Sequence, residues 1–156
     1  MSRPGPQRRV GLSSLIVATV GLLVSAYLTY EHFTAATTFA CPESATINCQ
    51  KVTTSRWSHL GPIPVAVLGL LYFAGMTLLC LPVAWRARLL VPVRVAAASV
   101  GVLVALVLVW IELFRVDAIC LYCTAVHVCA LTLFGTVLWT TAELRAAAVP
   151  AARLAR

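Results

Sequence analysis

Charge is what this sequence has least of. Only 11% of its 156 residues are charged, and five of them are Asp or Glu. A water-soluble domain carries about 25% charged residues, so the shortage excludes a disordered chain and an ordinary cytosolic enzyme. Lysine is almost missing as well, since eleven of the twelve basic residues are arginine. The net charge of +7 invites a nucleic-acid reading, but the basic residues stand in short flanks between apolar runs. That is where membrane topology signals stand, and no nucleic-acid partner is expected. Apolar residues are in excess, at 61% with a mean hydropathy of +0.94. The chain reads as an integral membrane protein of a lipid bilayer.

Four apolar runs can cross that bilayer. They are Val10 to Tyr30, Leu60 to Trp85, Val95 to Ile111 (carried to Phe114 past Glu112), and Ala118 to Ala142. A hydrocarbon core of about 30 Å needs roughly 20 helical residues. Backbone in lipid must satisfy its own hydrogen bonds, so the spans are helices. The expectation is an all-α bundle of four transmembrane helices over 10–30, 60–85, 95–114 and 118–142, a single domain over 1–156 with a cap loop over 31–59. The first run is too long for a signal peptide core and lacks a small-residue cleavage pattern, so it is read as helix 1. Nine arginines lie in the N-terminal flank, the 86–94 loop and the C-terminal tail, against Lys51, Arg56 and Arg115 on the other side. This imbalance puts both termini in the cytoplasm and the long loop outside a cell membrane.

The six cysteines then have addresses. Cys41 and Cys49 fall in the outer loop, and Cys120 and Cys123 form a C-x-x-C at the outer end of helix 4. Cys80 lies some 30 Å below the outer surface at about 1.5 Å per residue, and Cys129 lies deeper in helix 4. Those two read as small apolar fillers. The other four share one oxidising side of the membrane. A pair of structural disulfides stapling the loop is one reading. Against it, a disulfide between thiols one helical turn apart constrains almost nothing, which suits a bond meant to open and close. Cys120 falls in the first helical turn, where backbone N–H groups favour a thiolate, and Asp117 is the expected N-cap.

His127 shares a helix face with Cys120 and Cys123, at i, i+3 and i+7. An ionisable residue one turn below the interface is either bonded to a neighbouring helix's backbone or partners something bound beside Cys123. The two-electron acceptor that diffuses to that depth is a quinone. Glu112 is expected to reach the headgroups or pair with Arg115 at i+3, with proton relay as the alternative. Arg56 and Lys51 read as solvated charge or as steering for an acidic partner, and Trp57 as an interfacial anchor. His32 and His59 read as interfacial residues.

On these motifs the sequence resembles the vitamin K epoxide reductase family. The likeness runs from Gly21-Leu22-Leu23-Val24-Ser25-Ala26-Tyr27 through Cys41, a seven-residue gap to Cys49, Ser55-Arg56-Trp57 and Leu68-Gly69 to Cys120-Leu121-Tyr122-Cys123. The resemblance implies a bundle around a quinone (menaquinone, ubiquinone or vitamin K), drawing on the membrane quinone pool with no metal. It implies that Cys41 and Cys49 take electrons from a reduced thioredoxin-like oxidoreductase outside the membrane, supporting disulfide formation there. Cys49 would attack Cys120, and Cys123 would deliver electrons to the quinone. Ser55 would support the quinone site, or serve only as a helix cap, and His127 would stand where animal members carry a hydrogen-bonding tyrosine. Animal members also carry an asparagine on helix 2, whereas 63–69 here offers only apolar side chains. That favours quinone reduction over reduction of the epoxide. No fused thioredoxin-like domain is expected. Disulfide-bond formation protein B shares four helices and two pairs, but with the pairs in reverse order. The alternatives are a non-enzymatic tetraspan protein with two structural disulfides, and a metal carrier using Cys120, Cys123 and His127.

Overall fold

The structure, a computed structural model, describes residues 6–34, 41, 44 and 46–154, with side chains from 11 to 146 among them. Residues 35–40 of the expected cap loop, Arg3 and Arg156, and the side chains of Arg8, Arg9 and Arg153, lie outside the described residues. The elements in order are helix α1 (Pro6–Thr34), short helix α2 (Cys49–Thr53), strands β1 (His59–Leu60) and β2 (Ile63–Pro64), and helices α3 (Val65–Leu79), α4 (Leu90–Ile111) and α5 (Leu121–Leu154). Three stretches are long and apolar enough to cross a membrane, Gly11–Thr34, Leu90–Val116 and Leu121–Ala146, and α3 is a shorter apolar helix. The protein is thus a mostly helical membrane protein. Helix α1 packs against both α3 and α5, α5 packs against α4, and α3 touches α4 more lightly.

The long helices are turned inside out relative to those of a soluble bundle. On α1 the buried positions are Ser14, Ala18, Gly21, Ser25 and Leu28, spaced alternately four and three apart. Leu12, Ile16, Val20 and Leu23 face outward. On α4 the inward residues are Arg94, Ala98, Gly101 and Ala105, while Leu103, Val104, Leu106 and Val107 are exposed. Lipid gives no reward for burying leucine, so helices associate through small residues that let backbones approach. Gly21 shows the limit, because a Cβ there would collide with the ring of Phe73 on α3. Gly101 lies equally close to the Tyr72 ring and hydroxyl.

The expected helix over 60–85 is corrected to Val65–Leu79. Its outer end is a hairpin in which His59 pairs Pro64 and Leu60 pairs Ile63, turned at Gly61 with φ +63°. Pro62 and Pro64 have no N–H and cannot continue a helical ladder backward. The inner end stops at Cys80, ahead of Pro82 and a 3₁₀ turn at Ala84–Arg86. Fifteen residues rise about 22 Å, short of the hydrocarbon core. Arg94 closes that end from α4. It is fully buried, its Nε donates to the Leu79 carbonyl at 2.9 Å and its Nη2 to the Ala84 carbonyl at 3.1 Å. Its guanidinium lies 3.7 Å from the Trp85 ring centroid, and the Trp85 indole donates to the Cys80 carbonyl at 3.2 Å. Side chains therefore donate to carbonyls that the helix end leaves open, those of Leu79 and Cys80. An arginine counted as a topology charge is also a structural pin.

Candidate functional site

The outer loop is fastened to the start of α5 by backbone hydrogen bonds. Ile47 forms a parallel bridge with Ile119. The Asn48 N–H donates to the Ile119 carbonyl at 3.1 Å, and the Ile119 N–H donates to the Thr46 carbonyl at 2.9 Å. The bridge sets Asn48 alongside Cys120, so the segments that carry Cys49 and Cys120 run side by side, about 4.8 Å apart as paired backbones are. Both are buried, Cys49 at 1% exposure and Cys120 at 0%. The Asn48 side chain accepts from the Lys51 N–H at 2.8 Å and starts α2 in the way an N-cap does. The Lys51 ammonium donates to the Asp117 carbonyl at 3.2 Å, a second tie between the loop and the turn before Cys120. Cys41 is disulfide-bonded to Cys49 with their Cα atoms 6.2 Å apart, and Cys120 and Cys123 are free thiols.

The expected cap, Asp117, is corrected to Cys120. Helix α4 widens at its outer end into a π turn, Glu112–Val116, closed by Asp117 in the left-handed region at φ 52°, ψ 47°. Aspartate tolerates that conformation better than most residues. Helix α5 begins only at Leu121, so Asp117 is too far back to cap it. Cys120 does so instead, its Sγ accepting the Cys123 N–H at 3.2 Å. A free N–H of the first turn therefore points at a sulfur, an arrangement that suits a negatively charged sulfur.

Glu112 is also corrected. It is 6% exposed and turned inward, and its Oε2 accepts from the Cys120 N–H at 3.4 Å. Arg115 points away, 5.2 Å from the Trp110 ring centroid and 5.8 Å from that of Trp57. In the wider π turn residue i+3 no longer stands above residue i, which is why the expected pair does not form. Glu112 reads as a surface residue along the sequence because periodicity cannot foresee a π turn.

One turn along α5 from Cys123, His127 is buried, and among the described residues its Nδ1 has no hydrogen-bond partner. A backbone bond at that nitrogen, one of the two readings of this residue, is absent. Sequence reasoning passed over Ser25, whose hydroxyl is buried without a partner at the contact with Gly69 on α3. The signal available was its place on the small-residue face of α1, four residues after Gly21. Buried polar atoms of a membrane protein that lack partners are places where a polar ligand atom can be received. Nearby, the Tyr27 and Tyr122 rings stack with centroids 5.1 Å apart, and the Tyr27 side chain interacts with buried Glu31. Cys80 lies in the apolar core and half-buried Cys129 packs against it, both away from the quartet.

Ser55 is the predicted residue that does not join this group. It stands ahead of the 3₁₀ turn Arg56–Ser58 without a side-chain cap bond. It lines a surface cleft of about 450 Å³ with Lys51, Arg56, Trp57, Arg115 and Val116. The four cysteines of the quartet thus gather at one end of the bundle, His127 lies one helical turn further along α5, and Ser55 sits in the cleft beside α2. Among known protein families, the model of the vitamin K epoxide reductase family matches residues 12–138, a stretch that contains all six cysteines.

Proposed function

The chain belongs to the vitamin K epoxide reductase family, hence to the membrane thiol–disulfide oxidoreductases, and from that premise we propose that it carries electrons from an extracytoplasmic thioredoxin-like protein to a quinone. A thiolate of the donor opens the Cys41–Cys49 disulfide, and the donor's second thiolate closes the donor's own disulfide. Cys41 and Cys49 take up the two electrons. The Cys49 thiolate then attacks Sγ of Cys120 in a Cys120–Cys123 disulfide, which releases Cys123 as a thiolate. Cys41 closes back on Cys49 and frees Cys120. A bound quinone supplies a two-electron, two-proton acceptor. As Cys123 gives up its electron pair, Cys120 closes the disulfide again.

The observation that carries this reading is the backbone bridge between Ile47 and Ile119, which ties the segment that carries Cys49 to the segment that carries Cys120. Thiol–disulfide exchange needs an accessible sulfur and a thiolate, and the N–H aimed at the Cys120 sulfur fits that need. A quinone oxygen fits His127 Nδ1, a buried nitrogen in want of a partner. Ser25 offers a hydroxyl of the same kind. Ser55, in the cleft, supports the site through the loop rather than by lying beside Cys123. The four-span topology, with α3 as a short second span and the cap loop outside a cell membrane, rests on the nine-to-three distribution of basic residues. Menaquinone, ubiquinone and vitamin K all meet the requirement, and the apolar 63–69 segment favours the quinone over its epoxide.

The test is quinone reduction by purified protein in detergent, followed by ultraviolet absorbance. With dithiothreitol as reductant, wild type turns over and Cys123→Ala does not. Cys49→Ala keeps turnover with dithiothreitol and loses it with a reduced thioredoxin. If wild type leaves menaquinone, ubiquinone and vitamin K all unreduced, the proposal fails, and two structural disulfides in a tetraspan protein become the better account.

A further inference from the structure

Ser55 aside, the residues of the surface cleft have no part in the electron path above. The cleft has a volume of about 450 Å³ and is lined by Lys51, Ser55, Arg56, Trp57, Arg115 and Val116. Three of these six are cations and none is an acid. The Trp57 ring receives two guanidinium groups, Arg56 at 4.9 Å and Arg115 at 5.8 Å from its centroid. Among the described residues neither guanidinium hydrogen-bonds to the protein or makes an ion pair. Guanidinium groups are weakly hydrated forks suited to carboxylates, and two of them on one indole repel each other until an anion intervenes. The concavity is therefore a positive seat without an internal counterion.

Its walls come from the two segments that carry the redox cysteines. Lys51 stands two residues after Cys49 on α2, and Arg115 stands five residues before Cys120. Lys51 is tied to the turn before Cys120 through the Asp117 carbonyl at 3.2 Å, so the seat is fixed relative to both pairs. Phe114, 70% exposed, and Trp110, 47% exposed, belong to the lipid-facing band of this helix, and Arg115 follows directly after it. The cleft thus lies where the apolar band ends, and the proposed topology puts that end on the side from which a soluble donor arrives.

We propose that this cleft docks a carboxylate-bearing surface of the thiol donor, an acidic side chain near the donor's own C-x-x-C. The inference rests on the electron path proposed above and names what recognises its donor. A carboxylate held between Arg56 and Arg115 brings the donor's thiolate to the Cys41–Cys49 disulfide. The exchange itself is unchanged: the donor's dithiol becomes a disulfide, and Cys41 and Cys49 become a dithiol. Charges at the rim of an interface act chiefly on the rate of encounter, and salt screens them.

The probes are two synthetic dithiol peptides with the same C-x-x-C, one flanked by Asp and Glu, the other by Asn and Gln. Quinone reduction by the full-length protein in detergent gives kcat/KM for each. Wild type is expected to use the acidic peptide about tenfold better at low salt, with the advantage shrinking as salt rises. The double variant Arg56→Gln, Arg115→Gln loses that advantage and keeps its turnover with dithiothreitol. Arg56→Gln alone, an exposed change, loses part of it. Equal use of both peptides by wild type, or an undiminished preference in the double variant, overturns the proposal. So does an advantage present in phosphatidylcholine nanodiscs and absent with phosphatidylglycerol, which would make the cleft a lipid headgroup seat. Fluorescence polarisation of the alkylated peptides reads docking without turnover. An enzyme inert toward every quinone would sink the electron path and still leave the cleft tested.

Discussion

Helix α4 carries one buried charge near each end, and the two are handled in opposite ways. Arg94, at the inner end, is fully buried, donates to two carbonyls and lies on the face of Trp85. Its partners are all backbone or ring, on the short stretch that joins α3 to α4. Glu112, at the outer end, is 6% exposed, and the one bond recorded for its carboxylate is a 3.4 Å contact with the Cys120 N–H. No cation faces it among the described residues, since Arg115 is turned to the tryptophans. A charge enclosed by backbone acceptors completes a helix end. A carboxylate left thinly partnered beside two thiols is a poor stabiliser, which points to a part in their chemistry. The same helix therefore holds a structural charge at one end and, at the other, a carboxylate set beside the thiols.

That contrast can be broken at three places. The largest effect belongs to Arg94→Met, which leaves the Leu79 and Ala84 carbonyls without donors. It is expected to cost about 2–4 kcal/mol of stability, read as a lower melting temperature in detergent. A melting temperature unchanged by this substitution would show that the inner end does not depend on the arginine. Glu112→Gln keeps the shape and the acceptor and removes only the charge. Its melting temperature should hold while quinone reduction with dithiothreitol falls at least about tenfold, roughly 1.4 kcal/mol of barrier. Loss of stability with activity intact would make Glu112 another structural residue and end the comparison. The smallest effect is at Asp117, whose left-handed φ glycine adopts freely. Asp117→Gly should leave stability within about 0.5 kcal/mol, whereas Asp117→Val should cost about 1–2 kcal/mol, both measured by thermal unfolding.

Much of the fold was legible because lipid imposes a simple rule. Long uncharged runs became helices, and three of the four expected runs reach spanning length. The 60–85 run did not, because apolar content says nothing about the prolines and the Gly61 turn that divide it into hairpin, helix and turn. Likewise the C-x-x-C was plain in the sequence, yet its cap was misassigned. Asp117 has the better intrinsic preference for an N-cap, and the π turn placed it too early in the chain to act as one. Of the partners of His127, the spacing from Cys123 was readable and the vacant Nδ1 was not.

The sequence by itself determined that this chain lives in a membrane, which residues are its redox candidates and which family it belongs to. Those properties are carried by composition and by short-range spacing, which survive without any knowledge of packing. Only the tertiary structure decided that the segment before Cys49 is bonded to the segment before Cys120, that Glu112 turns toward the thiols, and that Arg94 is enclosed at the opposite end. It also drew Lys51, Arg56 and Arg115 into one cleft. Each of these joins residues from separate segments, through a bridge between a loop and a helix start or through a π turn that rotates a side chain off its expected face. Hydrophobic periodicity records which face of an element is buried, and it holds no information about which neighbour that face will meet.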